Sequence, residues 1–315
     1  MNTKTNQNIN VGIDTGRFQL DIYIPPLDIY FNVPNDEKGI KEAVRAIKKH
    51  KPEREATGRL EMPFIFACAK AELPFTIANP VHIKRFAGAL GQRAKTDKLD
   101  AQLIAHYSEA IKPLLSQLKP ATMQLMSDLV TRRNQLLCMQ TIEKNRLQIM
   151  PKEVTMSIKP VLTMFKNQIK KIEDKIAKLI ESCPEYSAKN EILQSMTGIG
   201  KVAAASIISN LSELGYINSK QASALIGVAP MNKESGRFQG QRKIQGGRPQ
   251  VRTVLYMAMM SAMQSNPVFK ATYQRLLAAG KPKKVAIIAC IRKIVVILNS
   301  MLRGGVLWEA PKVKN

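Results

Sequence analysis

Cysteine and histidine are scarce in this chain of 315 residues, which contains four cysteines and three histidines. The cysteines are widely separated and form no C-x-x-C pair, so the sequence argues against a zinc site and a disulfide framework and fits a reducing compartment. The histidines have no metal-ligand spacing, and histidine-based acid–base catalysis therefore has little support. Any metal is expected to be bound by oxygen ligands.

Long hydrophobic runs are also absent. No stretch reaches the roughly 18 consecutive apolar residues that a membrane span requires. The N-terminal MNTKTNQNIN lacks the apolar segment of a signal peptide. Hydrophobic residues still make up 45% of the chain, which is enough for globular cores. We therefore expect a cytoplasmic protein with no membrane partner and two or three domains.

Acidic residues are outnumbered by basic ones, 24 against 48, and the net charge is +24. The excess is uneven, since residues 1–110 hold 16 basic and 13 acidic residues whereas residues 231–315 hold 16 and 2. Such a basic surface is typical of proteins that bind a polyanion by neutralising its phosphates. A nucleic acid is the partner that this charge favours over a membrane surface.

The N-terminal region, residues 1–110, mixes strand and helix patterns. Residues 9–32 favour two or three strands joined by turns. Helical patterns and short strands then alternate, and Asp36 has the position of a helix N-cap. The alternation predicts an α/β domain, in which Asp14 ends the first strand as the first metal ligand does in ribonuclease-H-like folds.

Four acids from distant parts of this domain form a candidate metal site: Asp14, Glu55, Asp97 and Asp100. On a helix, residues three apart lie on one face with Cβ atoms about 5–6 Å apart, so the last two form a pair. Mg²⁺ prefers carboxylate oxygens, with Mn²⁺ as an alternative, and two such ions can stabilise the entering and leaving oxygens of phosphoryl transfer.

Simpler explanations exist for each of these acids. Asp97 and Asp100 suit the positive end of a helix dipole, and Asp14 suits a strand that ends at a turn. The second acid is also open, because Glu53 and Glu61 lie close to Glu55 in the sequence.

Residues 111–190 change character. Two long helical patterns, about residues 121–150 and 158–182, are separated by Pro151, and Pro160 is expected in the first turn of the second helix. Apolar residues at spacings of three and four indicate an antiparallel helical hairpin or an intermolecular coiled coil. We favour dimerisation through this region; the alternative is an ordinary helix pair packed on its own domain.

Residues 191–315 are predicted to be mostly helical. Gly198 and Gly200 separate two helical patterns, and the second pattern follows Lys201. This is a helix–hairpin–helix signature, in which glycines let the backbone approach phosphate and the next helix directs its N–H groups at the anion. A plain glycine-rich connection is the alternative.

Residues 231–252 are expected to form a basic, glycine-rich loop around Ser235. A serine nucleophile requires nearby cations that stabilise its alkoxide and the attacked phosphate. A turn serine is the simpler explanation. The basic residues proposed to bind nucleic acid here are Arg237, Arg242, Lys243, Arg248 and Arg252.

Taken in order, these motifs resemble those of one family. The motifs are Gly12-Ile13-Asp14, Glu55-Ala56-Thr57-Gly58, Thr96-Asp97-Lys98-Leu99-Asp100-Ala101, Thr197-Gly198-Ile199-Gly200, Ser235-Gly236 and Gly246-Gly247-Arg248 with Arg252. The chain resembles, over nearly its whole length, the DEDD-type insertion-sequence transposases that act as bridge-RNA-guided serine recombinases. Many members have Gly-Asn where this chain has Gly247-Arg248.

The resemblance implies a RuvC-like N-terminal domain whose four acids bind Mg²⁺, and a helical coiled-coil linker that dimerises. It also implies a C-terminal transposase domain in which Ser235 attacks the DNA backbone, forming a phosphoserine. Two dimers would assemble into a homotetramer. A non-coding guide RNA would pair with donor and target DNA.

Two other functions remain as alternatives. One is a RuvC-like hydrolytic nuclease for Holliday junctions, which needs the four acids and water but no serine. The other is a non-catalytic RNA- or DNA-binding protein that keeps the acids as relics.

Overall fold

The computed structural model describes residues 9–50, 54–57, 62–92, 94, 96–232, 234–235, 238–240 and 242–309. The chain divides into two compact units, Met1–Lys119 and Pro120–Asn315. Each unit is described by itself.

The first unit is built on a five-stranded sheet in the order β3-β2-β1-β4-β5. β1, β2 and β3 form an antiparallel meander, and β4 and β5 continue the sheet in parallel with β1. The sheet is mixed, with β1 at its centre. The strands are β1 (Asn10–Thr15), β2 (Gln19–Ile24), β3 (Ile29–Pro34), β4 (Arg54–Thr57) and β5 (Phe75–Ile77).

Four α-helices complete the described part of this unit, and capping side chains mark the start of three of them. The predicted N-cap is confirmed, because the Asp36 carboxylate accepts a hydrogen bond from the Gly39 N–H at 2.8 Å. Asn79 and Thr96 cap the third and fourth helices in the same way. The helices are α1 (Glu37–Lys48), α2 (Met62–Lys70), α3 (Pro80–Ala89) and α4 (Asp97–Ile111).

The core of the first unit lies between the sheet and α1 and α2. Alternate residues of β1 and β2 are fully buried, together with Phe64 and Ile65 of α2 and Ile47 of α1. The period of two in the strands and of three to four in the helices directs apolar side chains to this layer.

The second unit is mostly helical. Its helices are α5 (Ala121–Ile149), α6 (Lys152–Glu181), α7 (Pro184–Ser195), α8 (Lys201–Asn210), α9 (Ser219–Ile226), α10 (Pro249–Ser265), α11 (Pro267–Ala278) and α12 (Lys283–Gly304). Between α9 and α10 lie four short strands, β6 (Pro230–Met231), β7 (Glu234–Ser235), β8 (Phe238–Gln239) and β9 (Lys243–Ile244). The basic, glycine-rich loop predicted here therefore contains short β pairs. The sequence did not reveal them, because two-residue strands carry no alternating apolar pattern.

α5 and α6 form the predicted helical hairpin. Leu136 packs against Phe165 and Ile169, so part of the apolar seam is satisfied within the chain. The expected position of Pro160 was wrong: α6 begins directly after Pro151, which makes Pro160 an interior residue of the helix. Proline has no N–H, so it leaves one helical hydrogen bond unmade at this point.

The hairpin is part of the second unit. Met126 and Val130 of α5 and Ile176 of α6 lie in the same buried cluster as residues of α8 and α10. The boundary between the two units therefore falls at residue 119, whereas the sequence suggested domain boundaries near residues 110 and 190. A separate dimerisation region at residues 111–190 stays a prediction.

α12 is the one helix of the described residues that is long and apolar enough to cross a membrane by length and composition. Half of its most apolar stretch is buried within the protein, where Cys290, Ile291 and Ile294 are fully enclosed. A helix buried in this way is typical of a globular core.

Candidate active site

Asp14 lies near the end of β1 and is partly buried. Its partner across the antiparallel ladder is Asp21 of β2, so the two Cβ atoms are about 4.5–5.5 Å apart. Burial raises the pKa of the Asp14 carboxyl above its usual value, and the negative charges of Asp100, Asp21 and Asp97 raise that pKa further. The charges of two other acids that were predicted from the sequence, Asp97 and Asp100, therefore act on Asp14.

The other two described acids come from the first turn of α4. The Thr96 hydroxyl accepts a hydrogen bond from the Leu99 N–H and caps the helix. Asp97 and Asp100 follow at a spacing of three, where the helix dipole favours negative charge. Asp97 is exposed and Asp100 is partly buried.

Gly12 explains why α4 reaches Asp14. Residues two apart on a strand share a face, so Gly12 and Asp14 lie on the same face of β1. A Cβ atom on Gly12 would be 2.0 Å from the Ala101 carbonyl oxygen and 2.5 Å from the Ala105 nitrogen. The backbone of α4 therefore rests directly on β1, and Asp100, next to Ala101, is held beside Asp14.

We expect Gly12→Ala to separate α4 from β1. Inserting a methyl group into a packed interface costs about 1–3 kcal/mol, and here it would meet backbone atoms that cannot rotate away. Chemical denaturation should show a loss in that range, together with weaker binding of Mn²⁺. Gly88→Ala is the matched control, because a Cβ on Gly88 would meet nothing within 4 Å; equal losses in both variants would contradict the interpretation.

Glu55 lies in β4, where its backbone pairs with Val11 of β1 and Phe75 of β5. β4 is thus the neighbour of the strand that carries Asp14. The side chain of Glu55 lies outside the described structure, as do Glu53 and Glu61. Its assignment as the second acid stays a prediction.

Asp21 is a site residue that the sequence reasoning missed. Its side chain is 3% exposed, and its Oδ1 accepts hydrogen bonds from the Tyr30 hydroxyl at 2.7 Å and the Gln19 amide at 2.8 Å. The hydrogen bond to Asp21 and burial raise the pKa of Tyr30. The Lys98 ammonium lies 5.5 Å from the centre of the Tyr30 ring. An aspartate between the apolar residues Leu20 and Ile22 of β2 was the signal that could have revealed it.

The acids suit a hard divalent cation. The negative charges of Asp97 and Asp100 repel that of Asp14, and a bound cation would remove this repulsion. Among the residues with described side chains, no three of histidine, cysteine, aspartate and glutamate are grouped as a preformed metal cage. Asp14, Asp97 and Asp100 can supply oxygens from two elements, β1 and α4, and Glu55 as a further ligand stays a prediction.

We expect Asp14→Asn to stabilise the metal-free protein at neutral pH. Because the folded protein raises the pKa of Asp14, its stability falls as the pH rises from about the ordinary aspartate value of 3.8 through the raised value. The penalty is complete once the carboxyl group is fully ionised, and the amide removes it. Thermal unfolding should show a higher Tm for the variant without metal, and Mn²⁺ should raise the Tm of the wild type more. Glu109→Gln, which removes an exposed acid from α4, should change neither result.

The predicted helix–hairpin–helix glycines lie between α7 and α8. Gly198 has a φ of 104°, and a Cβ there would meet the Ala262 side chain at 2.4 Å. Gly200 is the N-cap of α8, and Lys201 begins the helix with its side chain exposed. A groove of about 800 Å³ with a mainly apolar lining opens beside Gly198, Gly200 and Lys201, between α5, α8 and α10. Phosphate binding by these residues stays a prediction.

Ser235 lies on a small β arm, which we call the serine arm (residues 230–244). β6 pairs with β9 at its base, and β7 pairs with β8 beyond them, with Ser235 opposite Phe238. Ser235 is exposed. Arg242 lies 3.5 Å from Glu234 as an exposed ion pair, and Lys243 is exposed. Arg237 lies outside the described residues.

Arg248 and Arg252 have partners within the protein. Arg248 donates two hydrogen bonds to the carboxylate of Glu213 and one to the Asn210 carbonyl. Arg252 donates to the carbonyls of Gly227 and Gly246. These contacts give both arginines a structural role at the base of the serine arm, and direct binding of nucleic acid by them stays a prediction.

Comparison with known proteins supplies the family. A family model described as a transposase, of the DEDD type of IS110, matches residues 11–155, and one described as "Transposase IS116/IS110/IS902 family" matches residues 190–274. The first range includes the acids of β1 and α4, and the second includes the serine arm.

Individual relatives agree with these models. The chain is 25% identical over 306 residues to a "Pilin gene-inverting protein" of Moraxella bovis, covering 93% of this chain and 95% of the relative. It is 27% identical over 232 residues to the protein of that name from Moraxella lacunata, covering 72% of each. An "Insertion element IS110 uncharacterized 43.6 kDa protein" of Streptomyces coelicolor is 26% identical over 159 residues, covering 50% of this chain and 38% of the relative. The two models match separate parts of the sequence, residues 11–155 and 190–274, and both describe transposases of the IS110 type, so the comparisons indicate a DNA-recombining enzyme of the IS110 DEDD transposase type.

Proposed function

We propose that this protein is a site-specific DNA recombinase that cuts and rejoins DNA through a serine-phosphate intermediate and is guided by a non-coding RNA. The observation that carries the proposal is the group of mutually repelling acids, Asp14, Asp97 and Asp100, within the region that matches DEDD transposases. The names of the two Moraxella relatives favour inversion of a DNA segment as one outcome of the reaction.

The acids of the first unit are proposed to hold the divalent cation on which DEDD transposases depend, with Glu55 as the fourth ligand. Mg²⁺ is the ion that the hard oxygen donors favour, and Mn²⁺ is an alternative. When bound, the cation would neutralise the charge of the attacked phosphate. The protein's own contribution is the close packing of α4 on Gly12, which holds Asp100 beside Asp14 before the substrate arrives.

Ser235 is proposed to be the nucleophile. Its Oγ forms a bond to a DNA phosphorus, the bond from that phosphorus to one sugar oxygen breaks, and the serine proton leaves with the sugar hydroxyl. A sugar hydroxyl of the second DNA strand then reverses the step and restores the serine. Exposure of Ser235 supports this role, and exposed Arg242 and Lys243 supply positive charge to the phosphate backbone.

The charge of the chain supports an RNA partner in addition to DNA. Residues 111–315 hold 32 basic and 11 acidic residues, an excess of 21 positive charges, and binding to nucleic acid would release counterions from many phosphates. We propose that donor and target DNA are selected by a guide RNA, and that the protein acts in the cytoplasm.

Assembly into a homodimer, and of two dimers into a tetramer, is proposed to involve the α5–α6 hairpin. Its helices keep large apolar side chains exposed: Leu125, Met139, Ile142, Ile149, Val154, Met156, Val161 and Met164. A second copy of the hairpin could cover them. Because a net charge of +24 repels a second copy, RNA is expected to favour assembly, and the solution mass measured with and without RNA tests this.

The proposal is tested with purified protein, a supercoiled plasmid that carries two inverted recombination sites, and RNA transcribed from the DNA that flanks the gene. We expect inverted plasmid, together with a protein–DNA adduct that survives denaturation and maps to the peptide containing Ser235. Cleavage without an adduct would favour the hydrolytic nuclease. Binding without cleavage would favour the non-catalytic protein. Inversion that persists after complete removal of RNA would contradict the guided reaction.

A further inference from the structure

The base of the serine arm packs against the end of α9 at backbone distance. Gly227 ends α9 with a φ of 76°, and Gly246 and Gly247 have φ values of 70° and 71°. A Cβ on Gly247 would lie 2.2 Å from the Gly227 nitrogen, and a Cβ on Gly227 would lie 2.1 Å from the Gly246 oxygen. Only glycine combines these backbone angles with so close an approach, so the arm leaves the core at one defined point.

Two arginines hold that point. Arg252 donates from one nitrogen to the carbonyls of Gly246 at 2.8 Å, Gly227 at 3.2 Å and Ile226 at 3.3 Å. The backbone N–H of Arg248 donates to the Leu225 carbonyl at 2.9 Å. The Arg248 side chain then turns away from the arm to the carboxylate of Glu213.

Glu213 belongs to a loop that α12 holds in place. Asn299, which is 2% exposed, accepts from the Gly215 N–H at 2.8 Å and donates to the Ile217 carbonyl at 2.8 Å. Arg303 donates to the same two residues. The loop is therefore fixed to a helix whose apolar face lies in the core.

The arm cannot set its own direction. Its two ladders have only two residues on each strand, and so short a pairing is marginally stable by itself. Among the residues with described side chains, one bidentate ion pair connects the base of the arm to another segment. This pair joins Arg248 to Glu213. A bidentate pair restricts orientation as well as distance.

We infer that Glu213 is a positioning residue for the recombination reaction: through Arg248 it sets the direction in which the arm presents Ser235 to the DNA. The inference depends on the proposed role of Ser235 for its catalytic consequence, but not for its structural content. Glu213 is proposed to act only through Arg248.

The structural content is tested by limited trypsin digestion of the folded, nucleic-acid-free protein. Arg242 and Lys243 are exposed trypsin sites on the arm. We expect Glu213→Gln to speed cleavage at these two residues about fivefold or more, because the arm is released from its ion pair. The matched control is Glu173→Gln, which breaks the Arg133–Glu173 ion pair in the α5–α6 hairpin. The side chains of Glu173 and Glu213 have the same exposed fraction, 38%. The control should leave cleavage of the arm unchanged.

The catalytic consequence is tested on the adduct and the site of cutting. Glu213→Gln should slow formation of the Ser235 adduct at least tenfold and spread the cut over neighbouring phosphates. Nucleic-acid affinity at fixed salt should stay within about twofold of the wild type. The exchanged pair, Glu213→Arg with Arg248→Glu, should recover part of the rate and sharpen the cut, which a general loss of stability would not do.

Each result has a separate meaning. Unchanged trypsin cleavage in Glu213→Gln would overturn the inference whatever the chemistry of Ser235. Faster cleavage with unchanged adduct rate and unchanged cut site would also overturn it, because the arm would then need no positioning. If Glu213→Gln unfolds, Arg248→Lys, which keeps the charge and loses the bidentate contact, replaces it in both assays. A wild type that recombines without any adduct would refute the serine mechanism alone, and the trypsin result would still decide the role of Glu213.

Discussion

Ser235→Ala is expected to abolish recombination and the covalent protein–DNA adduct. A nucleophile cannot be replaced by water in a reaction that must conserve the phosphodiester energy for rejoining. We therefore expect a fall of about 10⁴-fold or more, in line with the removal of other nucleophilic serines. Nucleic-acid affinity should be unchanged, because an exposed serine on a short strand contributes no charge to phosphate binding. The measurement is the rate of plasmid inversion together with adduct detected after denaturation.

The matched control is Ser261→Ala, which removes an exposed serine from α10 in the same unit. It should recombine at the wild-type rate. Recombination by Ser235→Ala at the wild-type rate would rule out the serine mechanism and would leave the acids as the whole catalytic apparatus.

Asp100→Asn is expected to have the second largest effect. The amide keeps the shape of the side chain and removes the charge that Asp100 contributes beside Asp14. Loss of an anionic metal ligand should lower the rate of DNA cleavage by about 10³-fold, which corresponds to about 4 kcal/mol of activation free energy. Calorimetry of the free protein should show that Mn²⁺ binds more weakly than to the wild type, while RNA binding stays unchanged.

Glu109→Gln is the control for this variant, since it removes a carboxylate from the same helix nine residues away, about 13 Å along its axis. Its cleavage rate and Mn²⁺ affinity should match the wild type. Full activity in Asp100→Asn would show that the acids of α4 do not serve the reaction, and it would favour the non-catalytic reading of the acid group.

The first unit could be predicted well because its signals are local. Alternating apolar residues marked β1 and β2, and Asp36 marked the start of α1 through its own side chain. To predict that Asp14 lies near the acids of α4, one further assumption was needed. This assumption is that the end of β1 and the start of α4 meet. Gly12 is the physical reason that they do, and nothing in the spacing of Asp14 and Asp100 reveals that contact.

The serine arm was harder to predict because long-range contacts define it. Two-residue strands have no period to detect, and Glu213 is 35 residues from its partner Arg248. Asp21 was missed for a related reason, since its meaning depends on Asp14 being its neighbour across the ladder. The proline at position 160 misled the estimate of where α6 begins, because a long helix with buried apolar residues on both sides of the proline can absorb one missing hydrogen bond.

Because α4 contacts Gly12 directly, the stability of this unit and the geometry of its acids depend partly on different residues. No side chain stands between the backbone of β1 and the backbone of α4 at that point, so no rotamer change there can alter the spacing of the two acids. Substitutions in the core layer on α1 and α2, such as at Ile47 or Phe64, would lower the melting temperature without reshaping the group of acids. Substitutions in that layer can therefore change the stability of this unit without changing its catalytic geometry, whereas changes at Gly12 or Asp14 alter both.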